Sequence, residues 1–176
     1  MRTPPRVEPA TAPHRLRRLG ERDHTEVVRL DALQTGARKS RYWRRVLRDL
    51  SSRGDGVTRV GLAASAGRRL VGYLVGEVRA FEFGSEPCGW IVAVAVDPAH
   101  ARQGVASTLL HRAAEMFARA GVTSVRTMVR RDDVPVLAFF RSNGFAAGAY
   151  VQLELHLSEE AATVASTPPA RKEHRP

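Results

Sequence analysis

One junction constrains this chain more than any other. It is the apolar run Trp90-Ile91-Val92-Ala93-Val94-Ala95-Val96, then Asp97-Pro98-Ala99-His100-Ala101-Arg102-Gln103-Gly104, then Val105-Ala106-Ser107-Thr108-Leu109-Leu110. The first part is short, rich in β-branched residues and bounded by turn formers, which predicts a buried strand. The last part opens a helix predicted over Gly104 to Arg119. Leu109, Leu110, Ala113, Met116 and Phe117 fall on its inner face, and Gly121 is its stop. Where a strand turns into a helix, the first N–H groups have no intrahelical partner and lie at the positive end of the macrodipole. Such a junction suits an anion. Gly104 and Ala106 let a phosphate come close to the backbone, and Arg102 adds a fixed positive charge. A phosphate-bearing ligand is expected.

The elements around the junction alternate between α and β. His14 to Leu19 reads as a short strand. Asp23 is placed to cap a helix that carries Val27, Val28 and Leu30 inward, and Ser40 to cap a second with Trp43, Val46, Leu47 and Leu50 at helical spacing. Val57 to Ala66 and Leu70 to Phe81 read as strands joined in a hairpin at Gly67-Arg68. After the junction come a strand over Ser124 to Val129, a helix over Asp133 to Asn143 and a last strand over Tyr150 to Leu157. An antiparallel hairpin followed by βαβ units predicts an α/β (α+β) fold, a mixed central sheet with helices on both faces. Residues 1–12 are Pro-rich without apolar periodicity and read as a disordered arm. Residues 159–176 read as a disordered tail, which leaves one domain over 13–158.

Two motifs resemble one family. Arg102-Gln103-Gly104-Val105-Ala106, after Val96-Asp97-Pro98, resembles the coenzyme A pyrophosphate loop of the GNAT N-acetyltransferases, [Q/R]-x-x-G-x-[G/A]. Val136-Leu137-Ala138-Phe139-Phe140-Arg141-Ser142-Asn143-Gly144-Phe145 resembles that family's A-x-x-[Y/F]-x-x-x-G-F helix end. The pair stands in the family's order and spacing, and the resemblance covers residues 14–158. It implies the GNAT acyl-CoA N-acyltransferase fold and direct acetyl transfer from acetyl-CoA to an amine of a small molecule or a protein. It also implies that backbone groups of Val94, Ala95 and Val96 meet the pantetheine arm at a bulged strand, with the Val94 N–H aimed at the thioester carbonyl as an oxyanion donor. Arg102, Gln103, Gly104, Val105, Ala106 and Ser107 would hold the pyrophosphate. Ala101 departs from the pattern, standing where the family has Gln or Arg, at the loss of one side-chain contact.

The resemblance leaves the proton chemistry open. An amine of pKa near 10 must lose a proton before it attacks, and the departing thiolate takes one up. The family's glutamate base falls at Trp90 here and its tyrosine acid at Phe140, and neither side chain can do that work. Strand parity puts Trp90 on the side of Val94 and Val96, where it would wall the acceptor slot beside Tyr42. Asp133 takes a neighbouring cofactor position or acts as a helix N-cap. Glu77 is one substitute base, if apolar surroundings raise its pKa; the alternative is a strand carboxylate paired with arginine. Tyr150 is the other candidate, against a packing aromatic at the strand's start. Glu82 and Glu86 read as solvated. Arg38, Lys39, Arg41, Arg44 and Arg45 beside Tyr42 and Trp43 suit an acidic or phosphorylated acceptor, or form a solvated helix face.

Composition sets the outer limits. The 176 residues are 43% hydrophobic and 26% charged, as in an ordinary globular protein, and no apolar run reaches the roughly 20 residues of a membrane span. Cys88 is the only cysteine, which excludes an intrachain disulfide and suits a reducing cytoplasm; whether it is reactive or a small buried thiol stays open. His14, His24, His100 and His111 lack metal-ligand spacing, so no metal is expected. The net charge of +10 is carried almost wholly by arginine, and it steers an anionic cofactor or favours nucleic acid. Three readings therefore stand: an N-acetyltransferase, an acyl-CoA-binding regulatory module of the same fold, and a nucleic-acid-associated protein. A homodimer is left open.

Overall fold

The computed structural model describes residues 14–52, 56–80 and 84–156. The expected arm over 1–12, the tail over 159–176, Glu82 and the ends of two expected strands at Phe81 and Leu157 lie outside the described residues. What is described falls into two compact units, divided between Leu137 and Ala138.

The first unit is a five-stranded sheet in the order β1-β2-β3-β4-β5, formed by Arg15–Arg18, Arg59–Ala66, Arg69–Arg79, Cys88–Val96 and Val125–Arg126. The first four strands run antiparallel to their neighbours and β5 runs parallel to β4, so the sheet is mixed. β2 and β3 make the expected hairpin, with Gly67 at φ +58° in the turn. Helices α1 (His24–Thr35) and α2 (Ser40–Ser51) pack on one face and α3 (Val105–Arg119) on the other. Neighbours on β3 separate the two faces. Tyr73 and Val75 point into the core with Val27, Leu30, Trp43 and Leu47, whereas a Cβ on Gly72 would meet Val105 and Leu109 of α3.

The helix starts are built differently from the expectation. Asp23 precedes α1 but makes no side-chain cap on it. Its carboxylate turns back to accept from the Gly20 N–H and from Arg17, the latter at 2.6 and 2.8 Å, because a nearby guanidinium out-competes a neutral helix N–H. Ser40 is the first helical residue of α2, and Lys39 holds the cap position. The end of α1 follows the rule, with Gly36 at φ +72° and its N–H donating to the Ala32 carbonyl.

Two expected strands are shortened or lost. The Ser124–Val129 strand contracts to Val125–Arg126, since pairing with β4 ends at Trp90↔Arg126. α4 runs from Val134 to Ser142, and within the second unit Phe140 packs edge-on against Phe139 and Phe145, ring centroids 5.0 Å apart in each case. Over Tyr150 to His156 no strand forms, and Val151, Leu153 and Leu155 are 72, 91 and 84% exposed. Apolar alternation decides which side chains share a face; a strand also needs a hydrogen-bonded neighbour, and no ladder reaches these residues. Among the described residues no helix is long and apolar enough to cross a membrane.

Candidate active site

The site begins at a fault in β4. Its register against β3 runs Gly72↔Val96, Tyr73↔Ala95, Leu74↔Val94, Val75↔Ala93 and then Gly76↔Ile91, leaving Val92 as an extra residue. This is a β-bulge, and it re-aims everything after it. Before the bulge, the Gly89 N–H donates toward the β5 side, to the Ser124 carbonyl at 2.9 Å. After it, the Asp97 N–H donates toward β3, to the Val71 carbonyl at 2.8 Å. Backbone groups alternate sides along a strand, so the N–H groups of Val94 and Val96 face the β5 side. There β5 has already ended, and Thr127 only tethers the start of the gap by its hydroxyl to the Ile91 carbonyl at 3.1 Å. Among the described residues no ladder pairs with β4 beyond that point, and its amides point to an unpaired strand edge.

The bulge corrects the reading of Trp90. One inserted residue inverts strand parity, so Trp90 shares its face with Ala93 and Ala95 and not with Val94 and Val96. Trp90 is paired across the ladder with Glu77, and the Arg79 guanidinium lies over the Trp90 ring, 4.7 Å from its centroid. Glu77 is not enclosed by apolar groups: its Oε1 accepts from Arg79 Nε at 3.1 Å and the side chain is half-buried. Glu77, Arg79 and Trp90 therefore form one cluster on the α1/α2 face, near the start of β4, where its pairing with β5 stops.

The turn after β4 is held by Asp97, a residue to which the sequence reading gave no role. Its Oδ1 accepts from the Ala99 N–H at 3.1 Å, and its Oδ2 takes Arg29 at 3.0 Å and Arg69 at 3.2 Å. Burial pushes this carboxyl up, but the Ala99 N–H and the two guanidiniums together hold it below the usual carboxylate range. The signal was present, since an Asp-Pro pair at a strand end forms a turn and caps the next few backbone N–H groups. Arg29 and Arg69, with Glu26 and Arg68, also line an open cleft of about 480 Å³ at the β2–β3 turn.

Arg102 and Gly104 then take left-handed conformations, φ +59° and +77°, and swing the chain into α3. The first helical bond of this turn is Thr108 N–H to the Gly104 carbonyl at 2.9 Å, so the N–H groups of Val105, Ala106 and Ser107 come before the ladder begins. Nothing lies within 4 Å of the position a Gly104 Cβ would take. Arg102 and Gln103 are exposed, and Gln103 Oε1 lies 3.2 Å from His14 Nε2. The residues present fit a pyrophosphate: orphan amides, a gap for close approach and an exposed guanidinium.

Against this geometry, comparison with known proteins is decisive. The model of the acetyltransferase (GNAT) family matches residues 24–145. The chain belongs to the GNAT acetyltransferases. By family it is an N-acetyltransferase, and acetyl transfer is the chemistry of that family. Comparison with curated proteins returned no match. Among solved structures, this GNAT protein is similar to the aminoglycoside 6'-N-acetyltransferase AAC(6')-Ih of Acinetobacter baumannii, with 16% identity over 82% of this chain and 99% of that one and a TM-score of 0.68. It is similar to a ribosomal-protein-alanine N-acetyltransferase of Brucella melitensis, with 18% identity, the same coverage and a TM-score of 0.66. A third is AAC(6')-Iy in complex with the bisubstrate analog CoA-S-monomethyl-acetylneamine, with 14% identity, the same coverage and a TM-score of 0.65. At these identities the likeness is one of fold.

The other expected residues have plainer surroundings. Tyr42 is partly exposed at the start of α2, edge-on to the buried Trp43 at 5.1 Å, and Arg38, Arg41, Arg44 and Arg45 are solvated. Asp133 Oδ1 accepts from the Val136 N–H at 3.2 Å, so in this GNAT protein it caps α4. Phe140 and Tyr150 belong to the second unit. Cys88 is a free, buried thiol.

Proposed function

We propose that this protein transfers an acetyl group from acetyl-CoA to an amine, acting in the cytoplasm. The observation that carries the proposal is the bulge at Val92, which turns the Val94 N–H into the gap beyond β5. In this reading the pantetheine arm lies along Val94, Ala95 and Val96, and Arg102 to Ser107 hold the pyrophosphate. The thioester, when bound, supplies an activated acyl carbon: the amine nitrogen bonds to it, the C–S bond breaks, and the thiolate takes up a proton. The Val94 N–H stabilises charge on the carbonyl oxygen, and it is fixed by the sheet before any ligand arrives. The names of the structural neighbours point to amine acceptors, an aminoglycoside in one and a ribosomal-protein alanine in another, which supports an amine here.

Glu77 is the carboxylate we propose as base. It stands directly across the ladder from Trp90, the place where the resemblance puts the family's glutamate, and on the same face. Arg79 fixes its position. The second reading, an acyl-CoA-binding module without turnover, is favoured by Trp90 and Phe140, which carry no titratable proton at the two usual places.

Calorimetric titration with acetyl-CoA, against ATP as comparison, tests the proposal. Acetyl-CoA should bind far more tightly than ATP, and Gly104→Val should abolish that binding. The introduced β-carbon meets no protein atom, so the loss would report the ligand together with the strained φ. Unchanged affinity would refute the placement of the loop. In an amine screen read by thiol release, Glu77→Gln should lower kcat by roughly 100-fold or more and remove the acidic limb of the pH profile. Binding without thiol release for any amine would favour the second reading.

A further inference from the structure

Three aspartates are buried among the described residues, and they are not equally satisfied. Asp23 takes two bonds from Arg17 and one from the Gly20 N–H, and Asp97 takes Arg29, Arg69 and the Ala99 N–H. Asp31 is 5% exposed, and its Oδ2 has no directed hydrogen bond. Lys39 Nζ is 3.0 Å from that oxygen and pairs with it from a side chain that is 40% exposed. A buried carboxylate held by a single, partly exposed ammonium keeps acceptor capacity for a further donor.

What surrounds it is the lining an ammonium prefers. The Lys39 ammonium also lies over the Tyr42 ring, 5.9 Å from its centroid. Tyr42 stacks edge-on against Trp43, and Trp43 against Tyr73, at 5.1 and 5.2 Å. Trp43 is 1% exposed, and its Nε1–H is a second buried group without a partner. Burial first, and the Asp31 charge after it, push the Tyr73 phenol upward, so the ring is a neutral neighbour to the carboxylate. Lys39 and Tyr42 are both partly exposed, so the cluster reaches the surface through them. Lys39 hangs on a long flexible stem and can return to water.

Position gives the pocket its meaning. Tyr73 is the ladder partner of Ala95, between Val94 and Val96, so it stands one strand spacing, about 4.8 Å, from the edge proposed for the thioester. We propose that Asp31, with Tyr42, Trp43 and Tyr73, is an ammonium subsite of the acceptor pocket, filled in this structure by the protein's own Lys39. The acceptor class is then a di- or polyamine, one ammonium seated on Asp31 and a second amine presented at the Val94 edge. The inference rests on the acetyl-transfer reading for the second amine only. It replaces the acidic acceptor suggested by the arginines of α2, which are solvated and screened by salt.

The test is equilibrium titration of the full chain with 1,4-diaminobutane, and with succinate as the anionic comparison, on wild type, Asp31→Asn and Lys39→Met. Diamine affinity should fall by at least about tenfold in Asp31→Asn and rise several-fold in Lys39→Met, where the competing ammonium is gone, with succinate not binding. Acetyl-CoA affinity should be the same in all three. In turnover, Asp31→Asn should raise KM for the diamine while kcat stays within about twofold. Equal diamine binding in all three proteins, or preferential binding of succinate, would overturn the subsite. Should Asp31→Asn not fold, Lys39→Met carries the test alone, and no gain in diamine affinity overturns it. Diamine binding that follows Asp31 and Lys39 in a protein that ignores acetyl-CoA would keep the subsite and sink the acetyl-transfer reading.

Discussion

The two faces of the sheet are packed by opposite means. Under α3 the strands present glycine: a Cβ on Gly72 would come within 3.0 Å of Val105, and one on Gly76 or Gly89 within 2.9 or 2.6 Å of Phe117. At these three positions Val105, Leu109 and Phe117 of α3 lie against bare strand backbone, with Leu74 and Ile91 buried on the same face. Under α1 and α2 the strands present Tyr73 and Val75 against Trp43, Leu47 and Leu30. That side is built of large side chains, and it keeps Asp31 Oδ2 and the Trp43 indole N–H as buried polar groups without a hydrogen bond. Close backbone packing leaves a helix little room to shift, whereas side-chain packing lets the chemistry of a face be chosen residue by residue.

The contrast can be broken from either side. The largest effect is expected from Trp43→Ala, which empties the centre of the α1/α2 face and should cost about 3–5 kcal/mol in chemical denaturation. A loss under about 1 kcal/mol would mean that this face contributes little to the core despite its burial. Next is Gly89→Ala, whose added methyl would overlap Phe117 Cγ and Cδ2 at 2.6 Å and should cost about 1–3 kcal/mol. Phe117→Leu in the same chain should recover part of it, and no recovery would place the strain elsewhere. Asp97→Asn should cost about 1–3 kcal/mol by releasing Arg29 and Arg69. Its pH dependence has a definite sign. The folded carboxyl is held below its unfolded value, so the stability it contributes is present above about pH 4 and is lost as pH falls through the folded pKa. Thermal melts of wild type and Asp97→Asn should thus converge in acid. Parallel curves down to low pH would remove Asp97 from the account.

Much of the strand-to-helix junction was legible in the sequence because its signals are local. Gly104 needs φ +77°, Asp97-Pro98 ends a strand, and Val105, Leu109 and Phe117 repeat at helical spacing, all within one stretch of chain. The hairpin and both early helices were legible for the same reason. Trp90 was misdirected because its facing depends on how many residues lie between it and Val94 in the ladder, and a bulge adds one without any mark in the composition. The segment after Tyr150 alternates as a strand should, yet alternation carries no information about whether a neighbour is there to pair with. Asp31 did leave a trace: it stands four residues after Val27 and three after Val28, on the buried stripe of α1, where a carboxylate is out of place.

By itself the sequence determined the hairpin, the first three helices, the strand-to-helix junction after Val96 and the family, since each rests on residues that act close to one another along the chain. Only the tertiary structure decided which amides of β4 face the gap, which face Trp90 shares with Glu77, and that Lys39 lies against Asp31. Those relations depend on how strands and helices meet in space. They are set by register and packing, and a one-residue shift in register inverts them.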